Sequence, residues 1–192
     1  MQNLSKCAKI MRFRSTETEY RVQEVRKMDK GMVQVIFGGG IGKTAMALGK
    51  AVTEVTAGRK VIMIQFLKGM LSAETAEWLK HLEPDLKVFR FEKQHDFFEN
   101  LTEEQKKEEM FNIRNGVNFA RKVLTTGECD MLILDEFLGI LDQKMIGEEE
   151  FQNLLSLREE NVDLVLTGKV CPQMLEKAAD LVTRIENVKV DK

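Results

Sequence analysis

A glycine-rich run between a strand-like and a helix-like segment constrains this chain more than any other feature. It reads Phe37-Gly38-Gly39-Gly40-Ile41-Gly42-Lys43-Thr44. Before it lies the apolar Met32-Val33-Gln34-Val35-Ile36, and after it a helical pattern from Thr44 to Thr56. The spacing approaches the phosphate-binding pattern G-x-x-x-x-G-K-[ST] and then departs from it, because Phe37 stands where the first glycine belongs. The physics survives the departure. Residues without Cβ let the backbone bend around an anion and turn successive N–H groups inward. The helix that follows aims its positive dipole end at the same point. Lys43 adds a mobile cation and Thr44 a hydroxyl suited to a magnesium ion. A flexible turn is the plainer reading of three glycines, and Lys43-Thr44 at the right step argues against it.

With 192 residues, 43% hydrophobic and 31% charged, the chain is long enough for one globular domain with a real core. A net charge of −2 gives no footprint for a nucleic-acid backbone. Cys7, Cys129 and Cys171 show no paired spacing, and no signal peptide is recognisable, which suits a reducing cytoplasm. No apolar run approaches the length of a membrane span. His81 and His95 are the only histidines, so phosphates, carboxylates and lysines carry the expected chemistry.

Strand-like runs recur at 32–37, 61–66, 86–91, 131–134, 162–166 and 181–185, with helical patterns between them. The clearest helix opens at Thr102, whose spacing to Gln105 makes a capping box. Its apolar face repeats at Met110, Ile113, Val117, Ala120 and Leu124, and Gly127 marks its end. Such alternation predicts a parallel sheet covered on both faces, with ligands beyond the carboxyl ends of the strands. The glycine run follows the first strand and falls on that edge. A second motif, Asp130-Met131-Leu132-Ile133-Leu134-Asp135-Glu136, reads as a buried strand that delivers two carboxylates to the same edge. In phosphate-loop proteins an acid placed so holds magnesium. The two motifs together predict a nucleoside triphosphate with a divalent metal, a specification that kinases, ATPases and switches all meet.

Five ordered blocks narrow the choice. The run from Gly31 to Thr44 resembles the opening of the P-loop ATP:corrinoid adenosyltransferases, which act on cob(I)alamin or cob(I)yrinic acid a,c-diamide. In that family the loop reads G-x-G-x-G-K-T after a G-x-[IV]-Q-[IV] strand. Val61 to Gly69 resembles the family's V-Q-F-[IL]-K-G segment, and Leu134-Asp135-Glu136 its L-D-E. Val165-Leu166-Thr167-Gly168-Lys169 resembles V-[IL]-T-G-R, and Ala178 to Thr183 resembles A-D-[LT]-V-[ST]-E. The blocks span about Lys30 to Lys189. Residues 1–28 lie outside as an extension, read equally as an arm over the site or as a loosely ordered segment; residues 29–192 form the domain.

The resemblance implies an α/β, RecA-like P-loop fold, a three-layer sandwich around a mainly parallel sheet. It also implies one displacement: Co(I) of a reduced corrinoid attacks C5′ of ATP, and triphosphate leaves. Such a reaction needs no general acid or base from the protein, only positioning and charge stabilisation. ATP would lie against Gly38, Gly39, Gly40, Ile41, Gly42, Lys43, Thr44 and Ala45, with Lys43 stabilising the triphosphate. Thr44 and Glu136, with Asp135 close by, would hold Mg²⁺ or Mn²⁺. Lys68, Phe97 and Phe98 are the candidate corrinoid contacts. A flavoprotein is the candidate reductant, a homodimer the candidate assembly, and neither nucleic acid nor membrane is an expected partner.

Some positions depart from the family spelling. Ile41 stands where a lysine or arginine is usual, Ala45 replaces a second hydroxyl, and Thr53 takes a helix position often held by arginine. One lost charge-assisted contact costs roughly 1.5–3 kcal/mol, on the order of ten- to a hundredfold in affinity. A degenerate member that binds ATP without turnover therefore stays open beside the enzyme. Trp78 reads as a packed helix residue, and Glu103 to Glu109 as a solvated helix face. His95 reads as a surface histidine before a cobalt contact. The eleven methionines read as adaptable core filling.

Overall fold

Short apolar segments of four to six residues, punctuated by turn residues, are too short for helices, and three of them are buried on both faces, the signature of central parallel strands. In the computed structural model, which describes residues 30–67, 72–91 and 98–190, they are strands. They are β1 (Val33–Phe37), β2 (Val61–Gln65), β3 (Leu86–Arg90), β4 (Met131–Asp135), β5 (Asp163–Gly168) and β6 (Leu181–Arg184). All pair in parallel in the order β3-β2-β4-β5-β1-β6. The strand bearing the glycine run is thus one strand removed from the strand bearing the acids, with β5 between them. The expected α/β, RecA-like arrangement is what forms.

Between the strands run α1 (Lys43–Thr56), α2 (Ala73–Leu79), α3 (Glu103–Thr126), α4 (Phe137–Asp142), α5 (Glu148–Ser156) and α6 (Gln173–Ala178). Period-2 alternation divides the strand side chains between two cores. Ile36, Met63, Met131, Ile133 and Val165 meet Ala47 and Ala51 of α1 on one face. Val35, Ile64, Leu132, Leu134 and Leu166 meet Ile113, Val117, Ala120 and Leu124 of α3 on the other, where α4 and α5 also pack. Gly31–Lys192 forms one compact unit. No described helix is long and apolar enough to cross a membrane.

The expected capping box is present: Gln105 N–H donates to the Thr102 hydroxyl and Thr102 N–H to the Gln105 side chain. Gly127 ends α3 in the left-handed conformation, as its position predicts. Two expectations fail. Trp78 is 72% exposed rather than packed, because the short α2 turns its indole toward His81 and solvent. Glu109 is 4% exposed, so the acidic run is not uniformly solvated. Glu109 lies four residues before Ile113 and eight before Val117, so the helical repeat puts it on the same buried stripe of α3. Strands β4 and β5 also run further than their apolar cores, taking in Asp135, Thr167 and Gly168.

Candidate active site

Four helix-initiating amides need partners at the start of α1, and the sequence supplies no side chain for them. Gly42 occupies the N-cap position with φ 112°, makes no side-chain cap, and no acid lies in the first turn. The helix end is left open to an anion. The glycine run reaches it by hugging the chain beyond β6. A Cβ on Gly38 would lie 2.3 Å from the Ile185 carbonyl oxygen, and one on Gly40 2.8 Å from the same group. Glycine is required there by close approach of two backbones. Gly40 N–H donates to Ile185 O at 2.9 Å, and Ile41 N–H to Asn187 Oδ1 at 3.2 Å.

Lys43 folds across this loop. Its Nζ donates to Gly38 O at 3.0 Å and Gly40 O at 3.1 Å. An ammonium has three donors, so one proton is left for a phosphate oxygen while the other two hold the cation at the loop mouth. Ile41 is 71% exposed and points its apolar side chain to solvent, with Ala45 exposed as well. Thr53 lies exposed on α1, its hydroxyl donating to Gly49 O.

The Thr44 hydroxyl donates to Asp135, 3.1 Å from each carboxylate oxygen. Asp135 is fully buried at the end of β4. Glu136 follows with φ 58°, a left-handed backbone that costs a non-glycine residue on the order of 1–2 kcal/mol. Burial raises the Glu136 carboxyl above its ordinary value; Lys43 and Lys169 pull it back down, and the Asp135 charge pushes it further up. A divalent cation would relieve this crowding of acids. Among the described residues no group of three His, Cys, Asp or Glu side chains could hold a metal alone. One hydroxyl and two carboxylates nevertheless suit Mg²⁺ or Mn²⁺, hard cations that complete their shell with water and substrate phosphates. The donor set fits.

Of the candidate corrinoid contacts, Lys68 and Phe97 lie outside the described residues, as does His95. Phe98 is half-buried and packs against the larger core. Three polar residues to which the sequence reading assigned no role touch the site: Gln65, Thr167 and Asn187. The first two sit inside recognisable blocks, and Asn187 in none.

The profile of ATP:corrinoid adenosyltransferase BtuR/CobO/CobP matches residues 29–191. The chain belongs to the ATP:corrinoid adenosyltransferase family. Relatives include the corrinoid adenosyltransferase of Escherichia coli K12, 26% identical over 165 residues that cover 84% of this chain and 79% of that protein. Corrinoid adenosyltransferase CobA of Salmonella typhimurium LT2 is 26% identical over 161 residues, with the same two coverages. An uncharacterised protein of Nostoc sp. PCC 7120 is 26% identical over 168 residues, 79% of this chain but 42% of its own length. The family is one of alkyl transferases that use ATP and a corrinoid.

Proposed function

We propose that this chain transfers the 5′-deoxyadenosyl group of ATP to the Co(I) centre of a reduced corrinoid and releases inorganic triphosphate. The observation that carries the reading is the assembly of Lys43, Thr44 and Asp135 at the open end of α1 in a chain of this family. The loop amides other than those of Gly38, Gly40 and Ile41, which are bonded within the chain, and the third Lys43 proton bind the triphosphate as it departs. This stabilisation grows as negative charge accumulates on the leaving oxygen. Thr44 and Glu136, with Asp135 behind the hydroxyl, hold the metal. When bound, Mg²⁺ or Mn²⁺ neutralises the triphosphate. No side chain needs to move a proton, because the bond is made by cobalt and broken at an oxygen that leaves as an anion. Residues 29–192 form the catalytic domain, and residues 1–28 are an extension whose removal tests whether it covers the site.

A second reading, ATP binding without turnover, draws support from one feature: two loop amides are already bonded to the segment after β6. Mixing the protein with ATP, Mg²⁺ and chemically reduced corrinoid separates the two. Triphosphate release in step with loss of the Co(I) absorbance supports the transferase. ATP protection against thermal unfolding with no triphosphate supports the binding module, and ADP as the product would overturn both.

A further inference from the structure

On the face that α1 covers, four neighbouring strands each carry a polar residue at or next to their carboxyl end. Alternation puts Leu86 and Val88, Val61 and Met63, Met131 and Ile133, and Val165 on that face of β3, β2, β4 and β5. Two residues beyond the last apolar one come Arg90, Gln65, Asp135 and Thr167. Gln65 is in register with Arg90 and with Asp135. The result is a polar row across the sheet beneath Thr44, in which Gln65, Asp135 and Thr167 are completely buried.

Within the row each hydrogen bond has its direction settled. The Thr167 hydroxyl accepts the Glu136 N–H at 2.8 Å, so its single proton goes to Asp135 Oδ1 at 2.7 Å. The Gln65 carboxamide oxygen accepts from Arg90 at a long 3.4 Å, which turns its amide nitrogen to Asp135 Oδ2 at 3.0 Å. Asp135 therefore has one donor locked on each oxygen and accepts the Thr44 proton between them. A Thr44 hydroxyl that gives its proton to Asp135 keeps its lone pairs for a cation. Thr167 does a second thing: its bond to the Glu136 N–H holds that residue at the left-handed turn that opens α4.

We propose that Thr167 and Gln65 are positioning residues that set the metal-holding geometry of Thr44, Asp135 and Glu136. Thr167 links both acids and Gln65 links one. This rests on the reading above that those three residues hold the divalent cation. Thr167 can do so because β5 lies between the loop strand and the acid strand, so a hydroxyl on it reaches the acids from the loop side.

The test measures Mn²⁺ affinity in the presence of ATP by electron paramagnetic resonance, and ATP affinity in EDTA by calorimetry. Both use the full chain and the variants Thr167→Val, Thr167→Ser and Gln65→Met. Removing a partner that orients a metal ligand weakens metal binding by about 10–100-fold. Thr167→Val is expected to lose Mn²⁺ affinity in that range, and Gln65→Met to lose less. Thr167→Ser should stay within about threefold of the parent, and ATP binding in EDTA within about twofold throughout. Parent-like Mn²⁺ affinity in Thr167→Val and Gln65→Met overturns the proposal. So does an equal loss with Mn²⁺ and with EDTA, the mark of a merely structural role. Should Thr167→Val not fold, retention by Thr167→Ser with loss by Gln65→Met upholds the proposal, and retention by both overturns it. A parent chain that binds ATP but no Mn²⁺ beside it would instead remove the metal-site reading on which the proposal stands.

Discussion

Ile41 sits in the middle of the phosphate loop with its side chain 71% in solvent and its N–H on Asn187. It packs against little, so a cation in its place costs the fold almost nothing, within about 0.5 kcal/mol for an exposed site. Ile41→Lys is expected to tighten Mg²⁺·ATP about tenfold with an unchanged melting temperature, read by calorimetry. Unaltered affinity would mean the loop grips triphosphate without help from that position. Cys129 poses a different question at the same scale. Burial first, then the Asp130 charge, pushes its thiol from 9.0 up to about 12. The native chain keeps this proton where the unfolded chain has lost it, so unfolding releases a proton and stability falls as pH rises between those values. The contribution is whole below the unfolded value and shrinks by up to about 1.4 kcal/mol per pH unit above it. Denaturant titrations from pH 8.5 to 11 should show the parent losing stability faster than Cys129→Ala. Parallel curves would contradict this.

Elements in this molecule were legible wherever a local rule decided them. The Thr102–Gln105 box and Gly127 bound α3, because caps act within one turn of chain. Packing between elements was not legible. Gly116 lies inside α3, and a Cβ there would lie 2.7 Å from Phe66 Cε1 and 3.1 Å from Phe91 Cβ. Phe66 is itself fixed edge-on against Phe137, ring centroids 5.2 Å apart. Gly116→Ala gains up to about 1 kcal/mol of helix propensity and meets an overpacking cost of about 1–3 kcal/mol. With the full propensity gain a net loss of up to about 2 kcal/mol is expected, a drop of a few degrees in melting temperature for a domain of this size. A stabilised variant would show that α3 can slide away from the sheet at no cost.

Across the whole molecule the site exists because three distant stretches meet: the glycine loop, the strand-end acids and the segment after β6. The loop is seated on that last segment through Gly40 N–H to Ile185 O and Ile185 N–H to Phe37 O at 2.7 Å. Gly40→Ala would drive a methyl into the Ile185 carbonyl and part the two. ATP affinity is expected to fall at least tenfold, on the order of 1.4 kcal/mol, while circular dichroism keeps the α/β signature. Parent-like affinity would show that the segment after β6 is a bystander.

The sequence by itself determined the loop, its lysine and threonine, the two acids and the alternation that makes a parallel sheet, because each rests on neighbours a few residues apart. It also placed Gln65 and Thr167 inside recognisable blocks, but gave them no task. Tertiary structure decided the rest. Strand order set β5 between loop and acids, and alternation then aligned Arg90, Gln65, Asp135 and Thr167 on one face, a row no single segment contains. Asp135 became the last residue of β4 rather than the first beyond it, and Asn187 reached the loop across more than a hundred intervening residues. Hydrogen bonds among buried polar groups depend on which strands become neighbours, and that is settled only when the sheet assembles.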